Sequence, residues 1–378
     1  MNPPWLPIRF SNDDGNTRLS SSELSARHAD FGVKSRRTHP CIFMASSLTT
    51  RSGRIAATQT GAVKSPHLRR LATPAATPAA DQAGQAAAPA PPATRRPLRP
   101  DWNATGPWQH VETIHEGPLA VVFRVRPQTG GEAGYVLKRL QPHWQDDPRA
   151  VAILEREAAA GRAVQHRNVV PVLDAQLRRE PRYVVMPRLQ GQSLETLLAV
   201  RPRPALADAL WFARQIAEAL AALDAAGWMH GDVKPSNLIV SPQGHATLID
   251  LGFARRRGED GGNADRPVPG TPRYMAPEMF LSRLRPDIRS DLYSLGAVIY
   301  RMIAGRPAFE GNDVASVLEQ QLRTRPRSLR DCNPRVPEGV ATLVQRLLAK
   351  DPLRRPSSPA ELVSQLVALE LAHFEDRA

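Results

Sequence analysis

The chain has 378 residues, room for one large domain or two ordinary ones, and carries a formal charge of +13. Residues 1–100 hold 14 Lys and Arg against 5 Asp and Glu, a net of +9, and the rest holds 36 against 32, a net of +4, so the basicity belongs mostly to the first hundred residues. The two cysteines, Cys41 and Cys332, lie far apart without metal-ligand spacing, which argues against a disulfide framework or zinc site and fits a reducing compartment, and no apolar run reaches the eighteen residues or so of a membrane span.

Residues 1–105 are expected to be a disordered, basic, Ala/Pro-rich N-terminal tail. Leu71 to Ala93 is mostly Ala, Pro, Thr and Gln, too poor in aromatic and β-branched residues to bury a core. The start lacks the compact apolar segment of a secretory signal. Pro3, Pro4, Pro7, Asp13 and Asp14 argue against an organellar transit peptide. Met44 offers an alternative start of translation. The basic pairs Arg36-Arg37, Arg69-Arg70 and Arg95-Arg96 suit contact with nucleic acid or an anionic surface, with a solvated tail as the plainer reading.

Order is expected from Trp108. Val111–His115, Val121–Arg126 and Gly134–Leu140 are β-branched runs broken by Gly and Pro, and read as three antiparallel strands. Pro148 to Val164 has helical spacing. Val172–Leu177 and Arg182–Met186 read as two further strands. After Gly191 the pattern turns helical, with long amphipathic stretches at Ala205–Ala226 and Asp291–Ala304. Strands first and helices after describe an α+β chain with a small β-rich lobe and a larger helical lobe. The join falls near Met186 to Leu189, and a cleft between lobes is a usual place for a nucleotide.

The chemistry concentrates in His230-Gly231-Asp232-Val233-Lys234-Pro235-Ser236-Asn237 and in Ile249-Asp250-Leu251-Gly252. Asp232 can accept the proton of an attacking hydroxyl. Asn237, five residues on, and Asp250, eighteen on, can hold Mg²⁺, which takes hard oxygen ligands and keeps several waters. Lys138 ends the third strand and is a point charge suited to the phosphates of ATP. Downstream, in order, come Gly270-Thr271-Pro272-Arg273-Tyr274-Met275-Ala276-Pro277-Glu278, then Asp291-Leu292-Tyr293-Ser294-Leu295-Gly296, then Asp351-Pro352-Leu353-Arg354-Arg355-Pro356.

This set resembles the protein kinase superfamily over about residues 108–374, and within it the bacterial serine/threonine kinases of the eukaryotic-like type. The resemblance implies a two-lobed kinase fold with an N-lobe at 108–186, a hinge at 187–189 and a C-lobe at 190–374. It implies Asp232 as catalytic base and Lys234 as the charge that neutralises the transferred phosphoryl group. Asn237 and Asp250 would be the ligands of Mg²⁺, with Mn²⁺ as a possible substitute. Glu157 would pair with Lys138, with Glu155 as the nearby alternative. Met186 falls at the gatekeeper position. Leu189 would offer its amide to adenine, and Val122, Val136 and Ile239 complete the nucleotide-binding set. Leu251 replaces the usual Phe of the metal-binding turn.

The glycine-rich loop departs from the family. His115, Gly117 and Ala120 stand at its three glycine positions, and only Gly117 is glycine. The substitution at Ala120 is mild if its φ is negative; His115 and Pro118 are larger departures, implying weaker ATP binding or slower turnover. Val136 stands where the family usually has Ala. Glu278, Arg355 and Asp291 are read as structural supports, and Thr271 as a partner of Asp232.

Gly231 occupies the place where many kinases have an arginine that waits for an activation-loop phosphate, and residues 250–270 contain no Ser, Thr or Tyr. Activity is therefore expected not to depend on phosphorylation there. Expected partners are Ser/Thr-bearing protein substrates, and the expected location is the cytoplasm. Two other readings stay open: a pseudokinase scaffold, for which the eroded glycine loop speaks, and an aminoglycoside-type small-molecule phosphotransferase, against which Lys234-Pro235 and the 270–278 segment speak.

Overall fold

The structure, a computed structural model, describes residues 105–259, 272–280 and 286–373. The tail, Gly270 and Thr271 lie outside the described residues.

Five antiparallel strands form the first sheet: β1 (Trp108–Glu116), β2 (Ala120–Pro127), β3 (Tyr135–Leu140), β4 (Asp174–Gln176) and β5 (Tyr183–Pro187), in the order β1-β2-β3-β5-β4. Side chains alternate across a strand, so register decides which residues share a face. Lys138 lies opposite Val122 and Val184, and Val136 opposite Arg124 and Met186. Val122, Val136, Lys138 and Met186 therefore face the same way. The other face carries Val121, Phe123, Val125, Leu137, Tyr183 and Val185, which pack into a separate apolar cluster.

Helix α1 (Pro148–Ala163) crosses the Lys138 face. Its start is set by Asp147, whose carboxylate accepts the amides of Arg149 and Ala150, and by Pro148 in the first turn. The buried stripe is Ala150, Ile153, Leu154, Glu157, Ala158, Ala160 and Gly161. One carboxylate thus lies on an otherwise apolar stripe, while Glu155 is exposed.

After β5 the chain makes β6 (Gln192–Ser193), α2 (Leu194–Val200), α3 (Leu206–Ala225), β7 (Trp228–Met229), β8 (Leu238–Val240), β9 (Ala246–Leu248) and β10 (Arg255–Arg256). The helices α4 (Ile288–Ala304), α5 (Val314–Arg323), α6 (Leu329–Cys332), α7 (Glu338–Leu347) and α8 (Pro359–Ala372) follow. The large core gathers around α3 and α4, with Ile216, Leu220, Leu223, Leu292, Leu295, Val298, Leu347, Leu362 and Leu366 all fully or almost fully buried. α4 buries nearly its whole circumference, as a central helix must. The fold is α+β, with a β-rich N-terminal part and a helical C-terminal part.

The strands differ in extent from the sequence pattern. β1 reaches from Trp108 to Glu116, beyond the β-branched stretch at both ends, and its pairing with β2 passes through two register shifts, at His110/Glu112 and Thr113/His115. β4 keeps only Asp174–Gln176 of the expected run from Val172 to Leu177.

Candidate active site

The loop from His230 to Asn237 is positioned by one carboxylate and one imidazole. Asp291, in the first turn of α4, accepts the His230 amide at 2.6 Å through Oδ2 and the Gly231 amide at 2.8 Å through Oδ1. His230 is fully buried. The Asp232 amide donates to its Nδ1 at 3.2 Å, so the ring proton sits on Nε2, which donates to the Ile249 carbonyl at 3.0 Å. One side chain thereby joins the Asp232 loop to the residue before Asp250. Gly231 sits at φ +77°, a left-handed conformation that glycine adopts without a Cβ penalty.

Asp232 meets Lys234 and Asn237. Lys234 Nζ is 2.8 Å from Asp232 Oδ2. Asn237 Nδ2 donates to Asp232 Oδ2 and to its backbone carbonyl, both at 2.9 Å. Burial pushes the Asp232 carboxyl up from the ordinary aspartate range, and the charge of Lys234 opposes that rise.

Lys138 lies between two carboxylates, 2.8 Å from Glu157 Oε2 and 2.7 Å from Asp250 Oδ1. Burial works against the ammonium charge, yet the two carboxylates hold its pKa well above the usual lysine value. Burial raises the pKa of Glu157, which Lys138 only partly offsets. For Asp250 burial acts upward too, but Lys138 prevails and keeps the carboxyl below its ordinary range. The exposed Glu155 is excluded from this pair; Glu157 takes it.

Asp250 has φ 65° and ψ 71°, the only non-glycine residue at positive φ among the described residues. Such a conformation is sparsely populated and concentrates at functional turns. Behind it, a Cβ on Gly252 would come within 2.7 Å of Ile153 on α1, so the turn and the helix that carries Glu157 touch directly.

The donor set suits a divalent metal bound together with a nucleotide. With its NH₂ committed to Asp232, Asn237 presents a carbonyl oxygen, and Asp250 supplies a carboxylate. No group of three or more His, Cys, Asp and Glu side chains is gathered for a metal among the described residues. Two protein oxygens completed by phosphate and water suit Mg²⁺.

Of the residues expected at the nucleotide, Val122, Val136, Lys138 and Met186 share one face of the first sheet. Met186 is buried, and Val136, Leu189 and Ile249 pack against the same cluster. The Arg188 amide donates to the Gly134 carbonyl at 2.8 Å. Ile239 is partly exposed between the buried Leu238 and Val240. Ala120 and His115 are not at positive φ, so neither position requires glycine here. Gly117 has a different reason: a Cβ there would meet His115 Nε2 at 3.3 Å and the Ala120 carbonyl at 3.4 Å.

The supports expected from the sequence are in place. Arg355 and Glu278 form a buried two-pronged pair, with nitrogen–oxygen distances of 2.5 and 2.8 Å, and Ser290 Oγ adds a bond to Glu278 at 2.7 Å. Sequence reasoning missed Gln321, fully buried on α5. It donates to the Pro272 and Arg273 carbonyls at 3.2 and 2.9 Å and accepts from Tyr293. A lone glutamine on a helix carries no signal of that task.

A β-rich part and a helical part, a lysine shared by two carboxylates, and a fixed aspartate–asparagine loop together define a protein-kinase-like fold. Residues 108–367 match the protein kinase domain, and the chain belongs to that family. It is 35% identical over 226 residues to serine/threonine-protein kinase pkn2 of Myxococcus xanthus, covering 58% of this chain and 27% of that protein. It is 34% identical over 272 residues to the DNA damage-responsive serine/threonine-protein kinase RqkA of Deinococcus radiodurans, covering 70% and 40%. With serine/threonine-protein kinase PkaA of Streptomyces coelicolor it shares 33% over 262 residues, covering 65% and 47%. The chain thus spans between a quarter and a half of the length of these relatives.

Proposed function

We propose that this chain is an ATP-dependent serine/threonine protein kinase whose catalytic domain occupies residues 108–374, with its lobes meeting at 187–189. The observation that carries the reading is Lys138 bridging Glu157 and Asp250 at 2.8 and 2.7 Å while Asp232 is held by Lys234 and Asn237. Asp232 orients the acceptor hydroxyl and takes its proton. Lys234 offsets charge on the group in transfer. Lys138, kept in place by Glu157, binds nucleotide phosphates. Asn237 and Asp250 hold Mg²⁺, or Mn²⁺ through the same oxygens, and the metal neutralises charge on the phosphates when bound. Catalysis rests on positioning and charge stabilisation. The Asp232-Val233-Lys234 arrangement favours serine and threonine acceptors on proteins, and the two widely spaced cysteines favour the cytoplasm.

Activity does not depend on activation-loop phosphorylation in this reading. Gly231 offers no guanidinium to receive a phosphate, and residues 250–270 offer no hydroxyl to carry one. Support for a constitutive arrangement comes from the segment's entry. Arg255 and Arg256 pair with Met229 and Trp228, the Arg256 guanidinium lies 5.0 Å from the Trp228 ring centroid, and Arg257 reaches Asp224.

The test is transfer from labelled Mg-ATP by the full chain, to itself and to a generic basic protein, beside Asp250→Asn and Lys138→Met. Label on Ser or Thr is expected, abolished by both substitutions and undiminished when the enzyme is first dephosphorylated and the phosphatase removed before labelled ATP is added. Bound ATP without transfer would favour a scaffold. Hydrolysis stimulated by small alcohols or amines, without protein labelling, would favour a small-molecule phosphotransferase.

A further inference from the structure

The turn between β1 and β2, which stands where the family has its glycine-rich loop, is tied down on its carbonyl side. Three successive carbonyls accept hydrogen bonds from the segment just after β3. Gln141 Nε2 donates to Gly117 O at 3.2 Å, Trp144 Nε1 to Pro118 O at 2.9 Å, and the Gln141 amide to Leu119 O at 2.9 Å. The Gly117 amide closes the turn on the Ala120 carbonyl at 2.9 Å. Trp144 and Leu119 also pack against the same apolar cluster.

The donors are themselves fixed. Gln145, fully buried, donates to the Leu140 carbonyl at 2.6 Å and accepts the Arg182 amide at 2.8 Å. The Trp144 carbonyl accepts the amide of Asp147, the residue that caps α1. A continuous set of contacts therefore runs from the turn through Trp144 and Asp147 into the helix that carries Glu157.

We infer that Gln141 and Trp144 are positioning residues for the nucleotide, doing with side chains what glycines do elsewhere in the family; this rests on the kinase reading above. Glycine lets a loop settle close to phosphate oxygens because it restricts the backbone least. A loop with one glycine, a proline and a bulky His115 has fewer conformations to choose from, so its placement is set by what holds it. The tether engages carbonyls only. It takes up none of the N–H groups that phosphate oxygens use, and Pro118 has none to lose. The tether also links the loop to α1, so a shift of that helix moves the loop and Glu157 together.

The test uses the full chain with Trp144→Phe, which puts a smaller aromatic ring in place of the indole and removes the N–H donor, and separately Gln141→Leu. The first readout needs no turnover: amide exchange of the peptide covering 117–121 in nucleotide-free protein. It is expected to quicken in both variants while the α1 peptide stays protected. The second is affinity for a fluorescent ATP analogue, expected to weaken about three- to tenfold, in line with the loss of one solvent-facing hydrogen bond. In turnover, KM for ATP rises by a similar factor with kcat and KM for the protein acceptor nearly unchanged. Unchanged exchange and affinity in both variants would overturn the tether, as would a loss of kcat that tracks thermal stability. A chain that binds nucleotide and transfers nothing would overturn the transfer reading alone, and exchange and affinity would still decide the tether.

Discussion

Asp291 grips the backbone of Gly231: its Oδ1 accepts the Gly231 amide at 2.8 Å, and its other oxygen takes the amide of His230 at 2.6 Å. Two consecutive N–H groups are thus held by one buried carboxylate, and the next residue is Asp232. Asp291→Asn keeps the shape but turns an NH₂ toward a backbone donor. The expected result is a loss of about 1–3 kcal/mol of stability together with a fall in kcat. Thermal unfolding and steady-state transfer check it. A variant with wild-type turnover would mean that Asp232 is oriented by its own loop contacts alone.

Arg355 and Glu278 are both almost fully buried, with side-chain exposures of 0% and 3%. Removing one partner leaves an uncompensated charge inside the protein, at a cost of about 3–5 kcal/mol. Arg355→Met is therefore expected to unfold at much lower denaturant. Adding Glu278→Gln removes the stranded carboxylate and should recover part of the loss. Chemical denaturation of the single and double variants decides it; a double variant no better than the single would show that lost packing, rather than the stranded charge, causes most of the destabilisation.

The catalytic loop was legible because its chemistry demands particular residue types at fixed spacing. Asp232, Lys234, Asn237 and Asp250 are close in sequence or joined by a short hairpin, so the pattern survives reading along the chain. Glu157 was legible only through the family resemblance, since Glu155 fits the same helix by composition; burial separates them. The placement of Val122, Val136, Lys138 and Met186 on one face follows from period-two alternation once the register is known. The tether of Gln141 and Trp144 was illegible. Its partners are backbone carbonyls more than twenty residues away, which leave no trace in residue type. Gln321 was hidden for the same reason.

Lys138→Met tests the two ion pairs together. Transfer is expected to fall by a factor on the order of 10²–10³, as when one preorganised charge is removed from an active site. Stability carries a second signature. Burial already raises the Glu157 pKa above its ordinary 4.5, and Lys138 opposes the rise, so losing the lysine raises it further. A group whose folded pKa exceeds its unfolded value binds more protons when folded. Stability then falls as pH climbs from the unfolded pKa through the folded one. The variant should be closest to wild type in acid and lose ground with rising pH. Denaturation midpoints across a pH series check this; a constant gap would mean that Glu157 finds another cation.

Asp232 and Lys234 set the acid limb of the reaction. A base must be ionised to take a proton, so kcat/KM for the protein acceptor should fall as pH drops through the Asp232 pKa. Burial raises that pKa above the 3.8 of an ordinary aspartate, and Lys234, 2.8 Å away, opposes the rise. The acid limb is therefore expected above the free-aspartate range in the wild type. In Lys234→Met the opposing charge is gone, so the limb moves to still higher pH, on top of a lower plateau from the lost stabilisation of the transferred group. Affinity for ATP, measured without acceptor, should change far less than kcat. A pH–rate profile normalised to its plateau separates the two effects. A limb that stays in place would mean that Lys234 does not tune Asp232, and that its role lies wholly with the phosphoryl group.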